Sequence, residues 1–210
     1  MKKIITIQHT QSEQHTNGMI GSWKDWNLTD TGIEQARRIG QRLSAEIHDE
    51  RYIMYSSDLL RAKRTAEIVA GFLDIVPIYT DDLREFHLGE ATGKSKAWAR
   101  ANIQCEVWPQ TIDCAESIDG KPFTGAESKR DVWNRLLPFY NRVMTSTEEN
   151  ILIVSHDGTL SLFYAMWLGL DMNMLENCAL SGKTGGVSLL IEDKARHHMI
   201  SRLNDLSYIY

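Results

Sequence analysis

Short apolar stretches alternate with longer amphipathic ones along this chain. Residues 4–7, 52–55 and 150–154 are rich in the β-branched and aromatic residues typical of buried strands. Apolar residues at helical spacing follow the first two of these, over residues 30–43 and from about 59 to 72. Strands that alternate with helices predict an α/β fold, a three-layer α/β/α sandwich with a mainly parallel central sheet.

The second half of the chain continues this pattern. Helical spacing returns over residues 127–143, where Pro138 is expected to kink the helix. Residues 185–191 and 198–203 are predicted to form a closing pair of strands.

The segment from about residue 86 to 125 breaks the regularity. Glycines and prolines interrupt short helical pieces that contain Trp98 and Trp108. We interpret this segment as a lid or insertion within a single domain over residues 1–210. Trp98 and Arg100 are its candidate contacts with a bound substrate.

The charge balance is slightly acidic. The 210 residues include 23 lysines and arginines and 28 aspartates and glutamates, a formal net charge of -5. This balance argues against a broad surface for nucleic acid or an anionic membrane. The most apolar stretch, residues 160–170, is about half as long as a transmembrane helix. Three cysteines without a Cys-x-x-Cys pair indicate no disulfide framework and no thiolate zinc site, and they fit a reducing cytoplasm.

Polar segments follow three of the predicted strands at the point where each strand ends. They are Gln8-His9-Thr10, residues 56–61 and Ser155-His156-Asp157. The carboxyl ends of parallel strands meet at one edge of a sheet, so we expect His9, Arg61 and His156 to converge there. A cluster of these three side chains favours a catalytic site over three unrelated structural roles.

Five short motifs, in the right order, resemble the histidine phosphatase superfamily, whose members have the phosphoglycerate mutase-like fold. The motifs are Gln8-His9-Thr10 with Asn27-Leu28-Thr29-Asp30-Thr31-Gly32; Ser56 to Ala62; Leu83-Arg84-Glu85; Gly125 to Ser128; and Val154-Ser155-His156. Together they cover essentially the whole chain. The resemblance implies a phosphoryl-transfer site at the carboxyl edge of the sheet.

The resemblance also implies roles for four residues. His9 is the nucleophile that accepts the phosphoryl group, because an imidazole held by a backbone carbonyl at one nitrogen can attack phosphorus with the other. Arg61 and His156 bind phosphate oxygens and stabilise the charge that develops. Glu85 is the general acid that protonates the leaving oxygen and then activates water.

Several positions depart from the family pattern. Gln8 replaces an arginine, and Thr10 and Asp157 replace glycines. Loss of the arginine predicts a handicap of roughly tenfold to a hundredfold in phosphate affinity or rate. A protonated His15, at the position of a phosphate-binding asparagine, could compensate together with Gln8 itself. Thr10 is expected to crowd the phosphate, and Asp157 to be the N-cap of the helix that follows.

We therefore expect a phosphatase that acts on a small phosphorylated metabolite, without metal or cofactor. The chain lacks the long arginine-rich insertion of the family's mutases, which disfavours phosphoglycerate mutase activity. The alternative from another class is a weak or inactive member that binds an anion or a protein partner. We expect no nucleic-acid or membrane partner, and a homodimer is left open.

Two other kinds of site are weaker alternatives. His9, His15, Glu85, His156 and Asp157 have the side chains of a metal site but not its usual spacing. Gly182-Lys183-Thr184 resembles the end of a nucleotide-binding loop, but no clear strand precedes it.

Overall fold

Six strands form one sheet in the computed structural model, which describes residues 1–103 and 117–210. They are β1 (Lys3–Gln8), β2 (Ile53–Ser57), β3 (Ile78–Thr80), β4 (Asn150–Ser155), β5 (Val187–Glu192) and β6 (His198–Asp205). Their order across the sheet is β3-β2-β4-β1-β5-β6. The first four in this order are parallel, and β5 and β6 add an antiparallel edge. The predicted α/β fold with a mainly parallel sheet is confirmed.

Helices cover both faces of the sheet. They are α1 (Asp30–Glu46), α2 (Leu60–Leu73), α3 (Lys96–Asn102), α4 (Lys129–Thr145) and α5 (Asp157–Leu168). Short 3-10 turns lie at Glu13–His15, Asp81–Leu83, Gly89–Ala91, Met172–Glu176 and Leu206–Ile209. The helices α1 and α2 pack on one face, and α4 and α5 on the other. No helix within the described ranges is long and apolar enough to cross a membrane.

The central strand β4 shows why its sequence is almost uniformly apolar. Ile151 and Ile153 pack into the core under α4 and α5, whereas Leu152 and Val154 pack into the core under α1 and α2. Successive side chains of a strand point to opposite faces, so a strand with two covered faces has no polar position. Burial of each such side chain contributes roughly 1.5–3 kcal/mol.

One local prediction is wrong: the N-cap of α5 is His156, and Asp157 is the first residue of the helix. The helix α4 contains Pro138 in its interior and ends at Thr145, and the kink expected at Pro138 stays a prediction. The sequence analysis did not predict the three-residue strand β3, because its side chains are too exposed to show the apolar pattern of a buried strand.

The predicted lid is described only in part. Ala91, Ala99, Phe123 and Ala126 form a small apolar cluster separate from the two main cores. Trp108, Cys105 and Cys114 fall in 104–116, outside the described residues. The closing function of this segment therefore stays a prediction.

Candidate active site

The ends of three neighbouring strands bring the predicted residues together. Gln8 of β1 pairs with Ser155 of β4, so the residues that follow them, His9 and His156, are neighbours. Their ring centroids are 5.0 Å apart. Nε of Arg61, from the first turn of α2 after β2, lies 3.2 Å from Nε2 of His9. The predicted convergence of these three side chains is confirmed.

The hydrogen bonds of His9 orient its ring for nucleophilic attack. Nδ1 lies 2.9 Å from the carbonyl oxygen of Thr10, an acceptor, and therefore carries the ring proton. Nε2 is left with its lone pair and accepts from Arg61. Burial, followed by the charge of Arg61, holds the pKa of His9 well below its usual 6.5. His9 is therefore neutral near pH 7, the form in which an imidazole is a nucleophile.

Arg61 is a buried cation, only 1% exposed. Its other two nitrogens donate to the backbone carbonyls of Ser22, at 2.8 Å, and Lys24, at 3.2 Å. No carboxylate of the described residues forms an ion pair with it. Burial lowers the pKa of Arg61 to about 10, against the opposing effects of Glu85 and Asp25, so it stays charged at pH 7.

His156 has one satisfied nitrogen and one that is not. Its Nε2 lies 2.9 Å from Oγ of Ser57, which also accepts from the backbone of Leu59. In the tautomer in which the Ser57 hydroxyl donates to Nε2, the proton of the neutral ring lies on Nδ1. That Nδ1 is buried without a partner among the described residues. Burial and Arg61 lower the pKa of His156 well below 6.5.

Glu85 approaches the cluster from the segment that follows Asp81–Leu83. Its carboxylate accepts from the amides of Phe86, at 3.0 Å, and Gly158, at 3.4 Å. A Cβ at position 158 would come within 2.7 Å of Oε1 of Glu85, so only glycine allows this approach. Burial raises the pKa of Glu85 above 4.5. A carboxyl group that keeps its proton at higher pH can serve as a general acid.

Two residues that the sequence analysis missed hold Glu85 in place. Arg135 of α4 donates to the carbonyls of Asp82, Arg84 and Glu85. Nε1 of Trp23 donates to the Glu85 carbonyl at 2.6 Å. Arg135 also forms a two-point ion pair with Glu127. In the sequence it is only one polar position on an amphipathic helix, so no local signal could have found it.

The chain matches a known protein family over almost its whole length. The model of the histidine phosphatase superfamily (branch 1) matches residues 4–205. The chain belongs to the histidine phosphatase superfamily.

Similar members of the superfamily include both mutases and phosphatases. The 2,3-bisphosphoglycerate-dependent phosphoglycerate mutase of Azorhizobium caulinodans is 32% identical over 168 residues, covering 75% of this chain and 77% of that protein. The mutase of the same name from Methylobacterium sp. is 30% identical and covers 84% and 86%. A mycobacterial glucosyl-3-phosphoglycerate phosphatase solved with VO3 has a TM-score of 0.81 at 22% identity, covering 97% and 99%. The likeness in fold extends to Bacillus stearothermophilus YhfR, with a TM-score of 0.77, 25% identity and complete coverage of both chains (100%).

Thr10, which replaces a glycine of the superfamily pattern, does not have a positive φ angle. Positive φ angles at non-glycine residues in the described chain occur at Ser22, Asp74, Arg196 and Asn204, and not at Thr10. Its hydroxyl lies 3.2 Å from that of Thr65 and is fully buried. The Thr10 hydroxyl therefore contacts α2, and the crowding of a bound phosphate expected from the β-branched shape stays a prediction.

His15 lies close to His9 but does not have the charge that was suggested for it. Its ring centroid is 5.6 Å from that of His9. The Nδ1 atom accepts from the backbone amide of Ser12 at 3.0 Å. Burial, with the charges of Arg61 and Lys96, lowers the pKa of His15 below 6.5. In the free protein it is neutral near pH 7, so compensation for Gln8 would need an anion to raise that pKa.

Gln8 and Asp157, the other departures from the superfamily pattern, meet at one loop. A Cβ at Gly182 would lie 3.1 Å from Oε1 of Gln8, which places the two residues side by side. Asp157 accepts from the hydroxyl of Ser181 and from the amide of Gly182. Residues 182–184 lead into β5 and not into a helix, so they are not a nucleotide-binding loop.

Trp98 and Arg100, the predicted substrate contacts of the lid, lie in the described part of that segment. Trp98 packs on Phe123 with ring centroids 6.2 Å apart, and Nζ of Lys94 lies 5.8 Å from its ring centroid. Arg100 is exposed on α3, and a substrate contact for either residue stays a prediction.

Among residues 1–103 and 117–210, no group of three or more His, Cys, Asp or Glu is arranged to hold a metal ion.

Proposed function

We propose that this histidine phosphatase superfamily member hydrolyses a small phosphorylated metabolite through a phosphohistidine at His9, without a metal ion. The observation that supports it most is the buried guanidinium of Arg61, 3.2 Å from a neutral His9 and without an ion pair to any described carboxylate. A buried charge without a carboxylate in direct contact costs several kcal/mol. A phosphate ester supplies a counter-charge next to the nucleophile.

The first step transfers the phosphoryl group to the protein. The Nε2 lone pair of His9 forms a bond to phosphorus while the ester P–O bond breaks. Arg61 exchanges its hydrogen bond with Nε2 for one to a phosphate oxygen, and Nδ1–H of His156 donates to another. Glu85 gives its proton to the leaving oxygen, so the product leaves as a neutral alcohol.

The second step returns the protein to its starting state. A water molecule attacks phosphorus as the bond from phosphorus to Nε2 breaks and its electron pair returns to the ring. The carboxylate of Glu85 takes a proton from that water, which restores the acid form. Inorganic phosphate is the second product.

The test follows an aryl phosphate in the presence of a chelator. We expect phosphate release and an acid-labile phosphoryl group on His9, and both should vanish in His9→Ala. His48→Ala is the matched control, because His48 is exposed and carries no site contact. Turnover that His9→Ala leaves intact would overturn the proposal, and turnover abolished by the chelator would instead indicate a metal enzyme.

The inactive-module alternative gives a different result. It predicts no turnover on a broad panel of phosphorylated metabolites, together with measurable binding of inorganic phosphate or vanadate. Loss of that binding in Arg61→Gln would then locate the anion at the same site.

Mutase activity is a second candidate because two similar relatives are named as 2,3-bisphosphoglycerate-dependent phosphoglycerate mutases. Both activities use the same phosphohistidine, and they differ in whether water or a second phosphoglycerate takes the phosphoryl group. Incubation with 3-phosphoglycerate and 2,3-bisphosphoglycerate separates them. Formation of 2-phosphoglycerate indicates a mutase, whereas phosphate release indicates the phosphatase that we favour. The cytoplasmic location and a homodimer stay predictions from the sequence.

A further inference from the structure

Asp157 contacts a loop that takes no part in the chemistry proposed above. Its Oδ2 accepts from Oγ of Ser181 at 2.7 Å, and its Oδ1 accepts from the amide of Gly182 at 2.6 Å. At the other end of this loop, the amide of Gly185 donates to the carbonyls of Gln8, at 3.1 Å, and His9, at 3.2 Å. Asp157 therefore fixes one end of a loop whose other end is bonded to the nucleophile's own backbone.

The middle of the loop has little freedom. The amide of Lys183 donates to Oδ1 of Asn204 at 2.8 Å. A Cβ at Gly186 would lie 1.7 Å from the same oxygen, so β6 and the loop are in close contact there. Residues 181–186 thus form a wall of the site beside Gln8.

The carboxylate of Asp157 also acts on Glu85. The next residue, Gly158, donates its amide to Oε2 of Glu85. Amides at a helix N-terminus favour the ionised form of such a carboxyl group, and so does the charge of Arg61. Burial is the largest cause of the raised pKa of Glu85, and the negative charge of Asp157, in the same helical turn as Gly158, acts in the same direction.

The remaining groups around Glu85 do not replace this effect. Arg135 donates to its backbone carbonyl at 3.3 Å, and the charge of Arg135 is paired with Glu127. His9 and His156 are neutral because burial lowers their pKa values. Among the described residues that act on Glu85, Asp157 is the carboxylate that helps it to keep its proton.

We propose that Asp157 is a positioning residue with two effects: it anchors the wall formed by residues 181–186, and its negative charge, next to the amide that contacts Glu85, acts together with burial to keep Glu85 in the acid form. The effect of Asp157 on catalysis rests on the proposed function of Glu85. The position of the Asp157 carboxylate and its effect on the pKa of Glu85 are independent of that function.

Two substitutions separate the charge from the anchor. Asp157→Asn keeps the size and one acceptor oxygen but removes the charge, whereas Ser181→Ala removes one anchoring bond and keeps the charge. The Glu85 carboxyl carbon is titrated by NMR in protein labelled at glutamate, with Glu85→Gln used for assignment. We expect Glu85 to titrate at lower pH in Asp157→Asn and at the wild-type pH in Ser181→Ala.

Activity then reports the consequence. With an alkyl phosphate, whose leaving oxygen needs a proton, the alkaline limb of kcat/KM should move to lower pH in Asp157→Asn only. An unchanged Glu85 titration in Asp157→Asn overturns the proposal, and an equal shift in Ser181→Ala shows that loop order, not charge, sets it. If Asp157→Asn does not fold, Asp157→Ser gives the same comparison. The NMR titration needs no turnover, so an inactive wild-type protein would refute the proposed phosphatase and leave this test intact.

Discussion

Two arginines removed from solvent lie within the same molecule and have opposite surroundings. Arg61 faces a neutral imidazole and two backbone carbonyls. Arg135, whose side chain is 17% exposed, pairs with the two carboxylate oxygens of Glu127, at 2.9 and 3.1 Å, and with carbonyls of the segment that leads to Glu85. The charge of Arg135 is thus paired with a carboxylate, whereas Arg61 forms no ion pair with a carboxylate of the described residues.

The difference shows how a structural arginine can be told from a ligand-binding one. Breaking a compensated pair leaves the other charge buried and unpaired, which is strongly destabilising. Removing an uncompensated buried cation also removes its desolvation cost, so stability changes little while anion binding is lost. The contrast can be tested in four ways, of decreasing size.

The largest expected effect is on activity in Arg61→Gln. Loss of a charge that stabilises the transition state costs roughly a hundredfold to a thousandfold in rate. The unfolding free energy should stay within about 1 kcal/mol of wild type, because the lost carbonyl bonds are offset by the lost desolvation cost. Aryl phosphate kinetics and urea unfolding measure the two effects. Strong destabilisation with normal residual activity would reverse the assignment of the two arginines.

Arg135→Met should show the opposite balance. The variant removes the ion-pair partner of Glu127 and one donor from each of four backbone carbonyls, so we expect a loss of about 3 kcal/mol in unfolding free energy. In the double variant Arg135→Met with Glu127→Leu, part of the loss should return, since no charge is then left unpaired. A stability equal to wild type in Arg135→Met would contradict a structural role.

Gln8→Arg adds a second cation next to the neutral His9, so it should strengthen the attraction for an anion that Arg61 provides. We expect phosphate or vanadate to bind roughly tenfold more tightly, the equivalent of about 1.4 kcal/mol. Gln41→Arg, on the exposed face of α1, is the control for a general gain of charge. Calorimetric titration measures both variants, and weaker binding in Gln8→Arg would mean that Gln8 is adapted to another ligand.

The smallest effect concerns pH. The pKa values of His9 and His156 in the folded protein lie below 6.5, so the unfolded chain binds more protons as the pH falls past that value. The stability that these neutral rings contribute is complete above about pH 6.5 and is lost as the pH falls toward their folded pKa values. In His156→Gln the decline of stability with acid should be shallower, by at most about 1.4 kcal/mol per pH unit. Thermal melts from pH 7 to pH 5 would show this, and parallel declines in the two proteins would contradict it.

The sequence was sufficient to predict the site residues whose positions follow from a local pattern. His9, Arg61 and His156 each follow a strand of buried apolar residues, and parallel strands bring such positions to one edge. The roles expected for these residues and for Glu85 came from the resemblance, and they stay predictions until tested. The N-cap expected at Asp157 is wrong, because the exact start of a helix depends on contacts that composition does not show.

The alternation of apolar and polar residues by itself determined the layered α/β fold and the edge of the sheet where the polar motifs meet. Only the tertiary structure decided which charges are compensated there. Arg135 reaches Glu85 across 50 residues of chain, and Asp157 reaches Ser181 across 24. Burial, unlike residue type, sets the pKa directions of His9, His156 and Glu85. Periodicity records which side of an element is covered, whereas protonation and ion pairing depend on what covers it.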